Sequence, residues 1–356
     1  MTAERVLVLR ADATASMGTG HVVRCVALAE EAAARGMRPV LLGTCEVPWL
    51  SEILAAAPLT VARAPDTAEG LRERLRELAP EAVVIDAYHL PRAHYHAAAA
   101  IAPVLAAYDG RPHHARGDVL YDQNIGADRT GPPAADGALL LRGPSFAVVR
   151  DDIKGRRPVD PALRVRTRAA AATPPKVLLV LGGTDALGGT LELTKALLSQ
   201  VPELHLHVVT ADAAGVRALP SGPRQRVQVV TPTPELPALM TEMDLVVSAA
   251  GTTTIELCCL GVPAALIQVV DNQVPVYEGA VSHGCAEGLG TLAHVVAEPA
   301  AMARRIRALL AEPDRRAQLA ERAWQTVDGR GRQRILDAVG AVVVGRRNPF
   351  TGDSIQ

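Results

Sequence analysis

Short apolar runs alternate along this chain with longer amphipathic or alanine-rich segments. Residues 6–9 have the length of a buried strand, and residues 22–35 have helical composition with a stop at Gly36. The same alternation predicts further strands at 39–43, 60–62, 82–85, 103–107, 119–121, 177–181, 204–210, 227–230, 245–248 and 263–269. Strands that alternate with helices predict an α/β fold, with parallel sheets covered by helices on both faces.

A segment of different character divides the alternation. Residues 150–175 are charged, rich in Arg and Ala, and contain four prolines, at 158, 161, 174 and 175. A length of 356 residues also favours two domains over one. We therefore expect a first domain at 1–157, a linker at 158–175, a second domain at 176–345 and a frayed tail at 346–356. Both halves have the same kind of pattern, so two Rossmann-like domains should face each other across a cleft.

Composition narrows the function classes. Hydrophobic residues make up 49% of the chain, which permits a sizeable core, and the formal net charge is −1, which indicates neither a nucleic-acid nor a membrane surface. The five cysteines are odd in number and lack the spacing of a disulfide framework, which favours a reducing, cytoplasmic location. No signal-peptide pattern and no apolar run of membrane-spanning length is present, so stable membrane insertion is not expected.

The richest stretch in the first half is R-A-D-A-T-A-S-M-G-T-G-H-V-V-R, residues 10–24. Gly18, Thr19 and Gly20 are expected in a strand-to-helix turn with His21 at the helix start. Free N–H groups and the helix dipole suit an anion there, and they keep an imidazole neutral, as a base requires. The alternative is that the polar residues of this turn only cap the helix and bind no ligand. The turn is not a dinucleotide fingerprint, because Val23 stands where its third glycine belongs.

Polar residues follow several of the predicted strands. Asp12, Asp86, Tyr88 and Asp109 come at or just after strand ends. The carboxyl ends of parallel strands share one edge of a sheet, which is where ligands of such folds gather. We therefore expect these residues beside the His21 turn, with Asp12 orienting either His21 or a sugar hydroxyl, unless it is only a turn residue.

The second half carries its own small-residue turn, S-A-A-G-T-T-T-I-E at residues 248–256. Its N–H groups and threonine hydroxyls can hold a diphosphate without metal or lysine. The expected binding residues are Ser248, Ala250, Gly251, Thr252, Thr253 and Glu256. Glu256 is expected in the first helical turn, where it either accepts from ribose hydroxyls or serves as a capping-box or helix-dipole partner. A glycine-rich turn at 182–189, with Gly183 and Thr184, either closes over a phosphate or is only a loop.

Three histidines, His89, His94 and His96, are close together in sequence but do not predict a metal site. Pro91 breaks the helical spacing between them, and no cysteine joins the set. They are expected on a surface loop, and no metal or other cofactor is expected.

Taken in order, the motifs resemble one family, the sugar-nucleotide hydrolases of the pseudaminic-acid pathway and their spore-coat polysaccharide relatives. The resemblance rests on R-A-D…G-T-G-H-V-V-R, I-D-A-Y (85–88), D-Q-N (122–124), R-G-P-S-F-A-V-V-R-D-D (142–152), L-G-G-T-D (181–185), the 248–256 turn and L-G-V-P…V-D-N-Q (260–273). The chain departs from the family where Ala250 and Thr252 replace a glycine and a serine of the phosphate turn.

The resemblance implies the glycosyltransferase-B architecture and the metal-independent hydrolysis of a nucleotide sugar, with a UDP-sugar expected. His21 then corresponds to the base that activates water, and 248–256 to the nucleotide turn, with Glu256 facing the ribose. Asp86 and Tyr88 are expected to meet the sugar, and the substrate site extends to Asn124, Asn272 and Gln273.

Three alternatives remain open at this stage. An inverting glycosyltransferase would use the same residues, with an acceptor hydroxyl in place of water. A non-catalytic nucleotide-sugar binder would not need both turns, and a nicotinamide oxidoreductase would need a full dinucleotide fingerprint. The nucleobase, the sugar and the oligomeric state are not fixed by the sequence.

Overall fold

The computed structural model describes residues 4–14, 17–109, 115–128, 137–171, 173–182, 188–210 and 212–347. The chain divides into two compact units, residues 1–150 with 329–356, and residues 151–328. Each unit is built on one fully parallel sheet, as the alternating pattern predicts.

Within the described residues, the first sheet has seven strands: β1 (Val6–Arg10), β2 (Arg38–Leu42), β3 (Thr60–Ala62), β4 (Ala82–Ile85), β5 (Val104–Ala107), β6 (Val119–Asp122) and β7 (Leu139–Arg142). The described part of the second sheet has six: β8 (Lys176–Val180), β9 (Leu204–Val209), β10 (Gln225–Val230), β11 (Leu245–Ala249), β12 (Ala264–Gln268) and β13 (Glu287–Thr291).

The helices of the described residues are α1 (Gly20–Ala34), α2 (Leu50–Ala56), α3 (Ala68–Leu78), α4 (Arg92–Ala99), α5 (Asp151–Lys154), α6 (Pro161–Ala170), α7 (Thr190–Gln200), α8 (Ala213–Arg217), α9 (Leu236–Thr241), α10 (Thr252–Leu260), α11 (Val274–Ser282), α12 (Leu292–Ala297), α13 (Pro299–Ala311), α14 (Pro313–Thr326) and α15 (Gly331–Arg347). Single 3-10 turns lie at Pro144–Phe146 and Asp271–Gln273.

Strand order determines where each unit can bind a ligand. The orders are β3-β2-β1-β4-β5-β6-β7 and β10-β9-β8-β11-β12-β13. In such sheets the order reverses beside the first strand, and the loops leaving the two central strands part there to form a crevice. The reversal lies between β1 and β4 in the first unit, and between β8 and β11 in the second. Both predicted ligand turns, at His21 and at Gly251, follow one of these central strands.

Burial on both faces of the first sheet explains why its central strands are uninterrupted apolar runs. All five residues of β1 are buried. Leu7 and Leu9 pack in the core beneath α1, whereas Val6 and Val8 pack in the opposite core beneath α3 and α4. A half-exposed strand would instead alternate apolar and polar residues.

The predicted linker at 158–175 is wrong, because most of this segment is an integral part of the second unit. Helix α6 lies within it and packs against α14. Arg157 donates to the carbonyls of Cys259, Trp324 and Val327 at 2.6–2.9 Å and stacks on the Trp324 ring.

Two arginines within residues 158–175 also bind the ends of helices. Arg164 donates to the carbonyls of Leu260 and Gly261, and Arg168 to those of Thr241 and Met243. The arginines that made this segment look like solvated surface therefore satisfy carbonyls at the C-termini of helices, which otherwise lack partners.

The predicted end of the second domain is also wrong, because α15 belongs to the first unit. Arg332 is buried, and its guanidinium lies 2.6 Å from Glu30 on α1. At Gly331 a Cβ would lie 2.1 Å from the Ala147 carbonyl oxygen, so only glycine allows this approach. The sequence shows α15 as apolar, but its partners are distant in the chain: Arg332 and Glu30 are 302 residues apart, and Arg334 and Ser145 are 189 apart.

Several elements escaped the sequence pattern. Strands β7 and β13 were not predicted: β7 is a partly exposed strand, and β13 contains two glycines. Helix α4 begins just after Pro91, which stands at its N-cap instead of breaking it. Among the described residues, no helix combines the length and apolar character needed to cross a lipid bilayer.

Candidate functional site

His21 lies in the first turn of α1, directly after the loop that leaves β1. Its Nδ1 is 2.7 Å from Oδ1 of Asp86, and 13% of its side chain is exposed. An ionised carboxylate only accepts hydrogen bonds, so Nδ1 carries a proton, and in the neutral imidazole Nε2 then keeps a free lone pair. The Tyr88 ring contacts the imidazole edge to face, with ring centres 4.5 Å apart. The arrangement is that of an imidazole base oriented by a carboxylate.

Asp86 is fully buried at the end of β4 and held from three sides. Arg24 donates to both carboxylate oxygens at 2.7 and 2.6 Å, and the Tyr121 hydroxyl donates to Oδ2 at 3.2 Å. Burial alone would raise the pKa of Asp86, but Arg24 and His21 outweigh it and hold the pKa well below its usual value. Asp86 is therefore ionised wherever the protein is folded near neutral pH.

Arg24 links this dyad to a second carboxylate. Its Nη1 lies 2.9 Å from Oδ2 of Asp109, and its Nη2 lies 3.1 Å from Nδ1 of His21 and 3.4 Å from the Tyr88 hydroxyl. Burial opposes the charge of Arg24, but Asp109 and Asp86 raise its pKa overall. Arg24 and Tyr121 were not predicted as site residues. The spacing of Arg24 three residues after His21 on one helix was the available signal.

Asp12 does not take the predicted place beside His21. Its carboxylate accepts from Arg10 at 2.5 Å and from the Thr44 amide at 2.8 Å, and it lies 3.1 Å from Nε2 of His89. The side chains of Arg10 and Asp12 are both more than nine-tenths buried. Asp12 therefore fixes the loop after β1, and the carboxylate that orients His21 is Asp86. Asp86, which is predicted to meet the sugar, is instead fully buried against His21 and Arg24.

The D-Q-N segment, residues 122–124, lies at the end of β6 and forms hydrogen bonds within the first unit. Asn124 is buried, and its backbone amide donates to Oδ1 of Asp122 at 2.9 Å. The side-chain oxygen of Gln123 accepts from the backbone amide of Val148. Burial and the charge of Asp109 raise the pKa of Asp122 to about 6. A role for Asn124 toward substrate stays a prediction.

The raised pKa of Asp122 predicts a pH-dependent gain in stability for Asp122→Asn. When the pKa of a carboxyl group is higher in the folded protein than its value of about 3.9 in the unfolded chain, that group lowers the free energy of unfolding as pH rises from 4 to 6. The variant keeps the acceptor for Asn124 and removes this penalty. At pH 8 it should be more stable than wild type by about 2 kcal/mol, with the difference vanishing near pH 4. Urea unfolding at both pH values measures this; an equal difference at both would contradict it.

The second turn leaves the start of α10 open to an anion. No side chain of the described residues caps this helix, whose N-cap is Gly251 in extended conformation, and Thr252 and Thr253 are half-buried in its first turn. Uncapped N–H groups at a helix N-terminus suit phosphate oxygens. The amide of Ala250 bonds to Ile267, and Ser248 is buried with its hydroxyl donating to the Ala249 carbonyl. Ser248 therefore supports the turn from below.

Helix α10 starts three residues earlier than expected, which moves Glu256 out of the first turn. Glu256 is the fifth residue of the helix, and the first turn contains no acidic residue. A capping box requires the acidic residue at the third position, so that alternative for Glu256 is excluded. Glu256 instead lies one turn below Thr252 on the same helix face.

The segment after β12 approaches this turn. Gln273 Nε2 lies 3.9 Å from where a Cβ on Gly251 would stand, and its Oε1 accepts from the Val269 amide, which aims the NH₂ group at the turn. Asn272 is exposed on the same 3-10 turn. Gly183 and Thr184 lie outside the described residues.

No group of three or more His, Cys, Asp or Glu residues that could hold a metal ion occurs within the described ranges. The three histidines around Pro91 separate instead. His89 contacts Asp12, His94 is buried on α4, and His96 is exposed and accepts from Arg92.

Comparisons with known proteins agree on the fold. No protein-family model matches the chain. One curated relative is the UDP-N-acetylglucosamine–N-acetylmuramyl-(pentapeptide) pyrophosphoryl-undecaprenol N-acetylglucosamine transferase of Chromobacterium violaceum, 36% identical over 138 residues, or 36% of this chain and 38% of that protein. The chain thus matches well under half the length of this relative.

Solved structures match nearly the whole chain. MurG of Acinetobacter baumannii covers 95% of it at a TM-score of 0.72 and 16% identity, with 99% of MurG aligned. The calicheamicin glycosyltransferase CalG4 covers 97% at 0.63 and 17% identity, with 99% of CalG4 aligned. The UDP-GlcNAc 2-epimerase of Neisseria meningitidis covers 95% at 0.61 and 14% identity, with all of that chain (100%) aligned. The chain therefore has the glycosyltransferase-B fold, with two Rossmann-like α/β domains.

Proposed function

We propose that this protein is a glycosyltransferase that uses a UDP-sugar as donor and inverts the anomeric configuration. The observation that carries the proposal is the buried His21–Asp86 pair at the crevice between β1 and β4. A neutral imidazole held by an ionised carboxylate is suited to take a proton from a hydroxyl.

The chemistry divides between the two units. Nε2 of His21 takes the proton of an acceptor hydroxyl, whose oxygen attacks the anomeric carbon of the donor. The bond from that carbon to the diphosphate oxygen breaks, and UDP leaves with the electron pair. The N–H groups at the start of α10 and the Gln273 amide stabilise the charge on the departing diphosphate. Glu256, one turn below Thr252, is assigned to the ribose.

The comparisons support transfer better than hydrolysis. The motif resemblance predicts a hydrolase, but the curated relative and the solved structure of CalG4 are transferases by name. A UDP-sugar is proposed as the donor because the curated relative's name specifies UDP-N-acetylglucosamine. A non-catalytic binder is disfavoured, because it has no use for a buried ion pair that costs several kcal/mol to desolvate.

A product assay tests the proposal. The protein is incubated with UDP-N-acetylglucosamine, UDP-glucose, CDP-glucose and dTDP-glucose in EDTA, each with and without a mixture of methyl glycosides as acceptors. We expect UDP release that rises when glycosides are added. Release that is equally fast without them would establish hydrolysis. Stabilisation by UDP in thermal melts without turnover of any donor would leave only the binder.

A further inference from the structure

Asp109 forms the far side of the buried cluster around Arg24. Its Oδ2 pairs with Arg24, while its Oδ1 is buried without a hydrogen-bond partner in the part of the chain that the structure describes. The residue also has a φ of 45°, in the left-handed region that residues other than glycine rarely adopt. An orphaned carboxylate oxygen and a disfavoured backbone both cost stability, so the arrangement calls for a functional explanation.

The charges of the cluster show what Asp109 contributes. Arg24 carries one positive charge, and Asp86 and Asp109 one negative charge each, so the cluster is net negative while His21 is neutral. When His21 takes up a proton, the buried cluster becomes neutral, which a low-dielectric interior favours. Without Asp109, the same proton would leave a net positive charge.

We propose that Asp109 is a positioning residue of the His21 base. Its negative charge compensates the positive charge of Arg24, so that Arg24 holds Asp86 in place while Asp86 still attracts the proton on His21. This inference deepens the proposed function, since it rests on His21 as the base of transfer. It assigns three separate tasks. Asp86 orients the imidazole, Arg24 fixes Asp86, and Asp109 restores the negative charge that Arg24 removes.

Other titratable and charged groups face the cluster from every element around it. They are Arg10 on β1, Cys25 on α1, Tyr88 and His89 after β4, Tyr95 on α4, and Tyr121 and Asp122 on β6, with His94 next to His89 and Tyr108 next to Asp122. Asp122 titrates in the same range as an ordinary histidine, since its pKa is raised to about 6. Its contribution therefore has to be separated by experiment.

The test is an NMR titration of His21 in the full-length protein without substrate. The imidazole signal is assigned by its loss in His21→Gln. In Asp109→Asn we expect the pKa of His21 to fall by about one unit, because the cluster loses a negative charge. Asn suits the left-handed backbone and can still accept from Arg24. Asp66→Asn, at a side chain that is 86% exposed, is the matched control and should cause no shift.

The outcomes are distinct. An unchanged His21 pKa in folded Asp109→Asn overturns the proposal, and so does a shift of equal size in Asp66→Asn. If Asp109→Asn does not fold, Asp109→Gly removes the same charge with a residue that favours positive φ. Repeating the titration in an Asp122→Asn background must preserve the shift, because loss of the shift there would assign it to Asp122.

A kinetic readout then links the shift to turnover. In Asp109→Asn the acid limb of the kcat/KM profile should move to lower pH, and the alkaline plateau should fall by about threefold, because a weaker base removes a proton more slowly. A purely structural role would lower the plateau without moving the limb. The NMR shift needs no donor, so absence of turnover with every UDP-sugar would refute the proposed function while leaving the role of Asp109 measurable.

Discussion

Replacing His21 by Asn is expected to lower kcat by about a thousandfold, because the acceptor hydroxyl loses the base that takes its proton. Asn preserves polarity and approximate shape at the start of α1. The dissociation constant for UDP should stay within about twofold of the wild-type value, because the residues assigned to the diphosphate belong to the second unit. Stopped assays of UDP release and calorimetric titration with UDP measure the two quantities on the same preparation.

His96→Gln is the matched control for this variant. His96 is an exposed histidine on α4 that contacts Arg92, and its loss should leave kcat unchanged. A kcat for His21→Asn within tenfold of wild type would remove His21 from the role of base. A parallel loss of UDP affinity would mean instead that the substitution disturbs binding.

Replacing Asp86 by Asn is expected to lower kcat by a factor of about a hundred to a thousand, although Asp86 contacts no substrate in the proposed mechanism. The amide cannot accept from His21 and from Arg24 with a full negative charge, so the imidazole loses both its fixed tautomer and the negative charge that stabilises it when it takes up a proton. The free energy of unfolding should also fall, by about 3 kcal/mol, because the buried Arg24 loses one of its two carboxylates.

Asp12→Asn separates the catalytic effect from the structural one. Asp12 is also a buried carboxylate paired with an arginine, but its partners are Arg10, Thr44 and His89. Its loss should cost a similar free energy of unfolding, with a decrease in kcat at least tenfold smaller than that of Asp86→Asn. Equal losses of kcat in the two variants would contradict the assignment of Asp86 as the carboxylate that orients the base.

The strand-to-helix turns could be predicted from sequence because their signals are local. A buried apolar run, small residues and an alanine-rich helix follow one another around His21, and an apolar run followed by small residues likewise precedes the helix at 252–260. The partner of His21 was not local. Asp12 and Asp86 both follow apolar strands, and their separation in sequence gives no reason to prefer the more distant one. Only the pairing of β1 with β4 brings Asp86 to the start of α1.

The incorrect domain boundaries have a related cause. Arginine and proline in residues 150–175 have the composition of an exposed segment, but Arg157, Arg164 and Arg168 donate to carbonyl groups at the ends of α9, α10 and α14. Composition shows that a side chain is charged, but it does not show which helix end that side chain contacts. Helix α15 was ambiguous for the opposite reason, since its apolar residues carry no sign of which unit they cover.

The most direct test of the account is the anomeric configuration of the first product formed from an α-linked UDP-sugar, followed by proton NMR before mutarotation. One base and one displacement require attack from the face opposite the leaving diphosphate. The product should therefore be β-configured at the earliest time points, whether the acceptor is a glycoside or water. An α-configured first product would mean retention through a different mechanism, and the role assigned to His21 would be wrong.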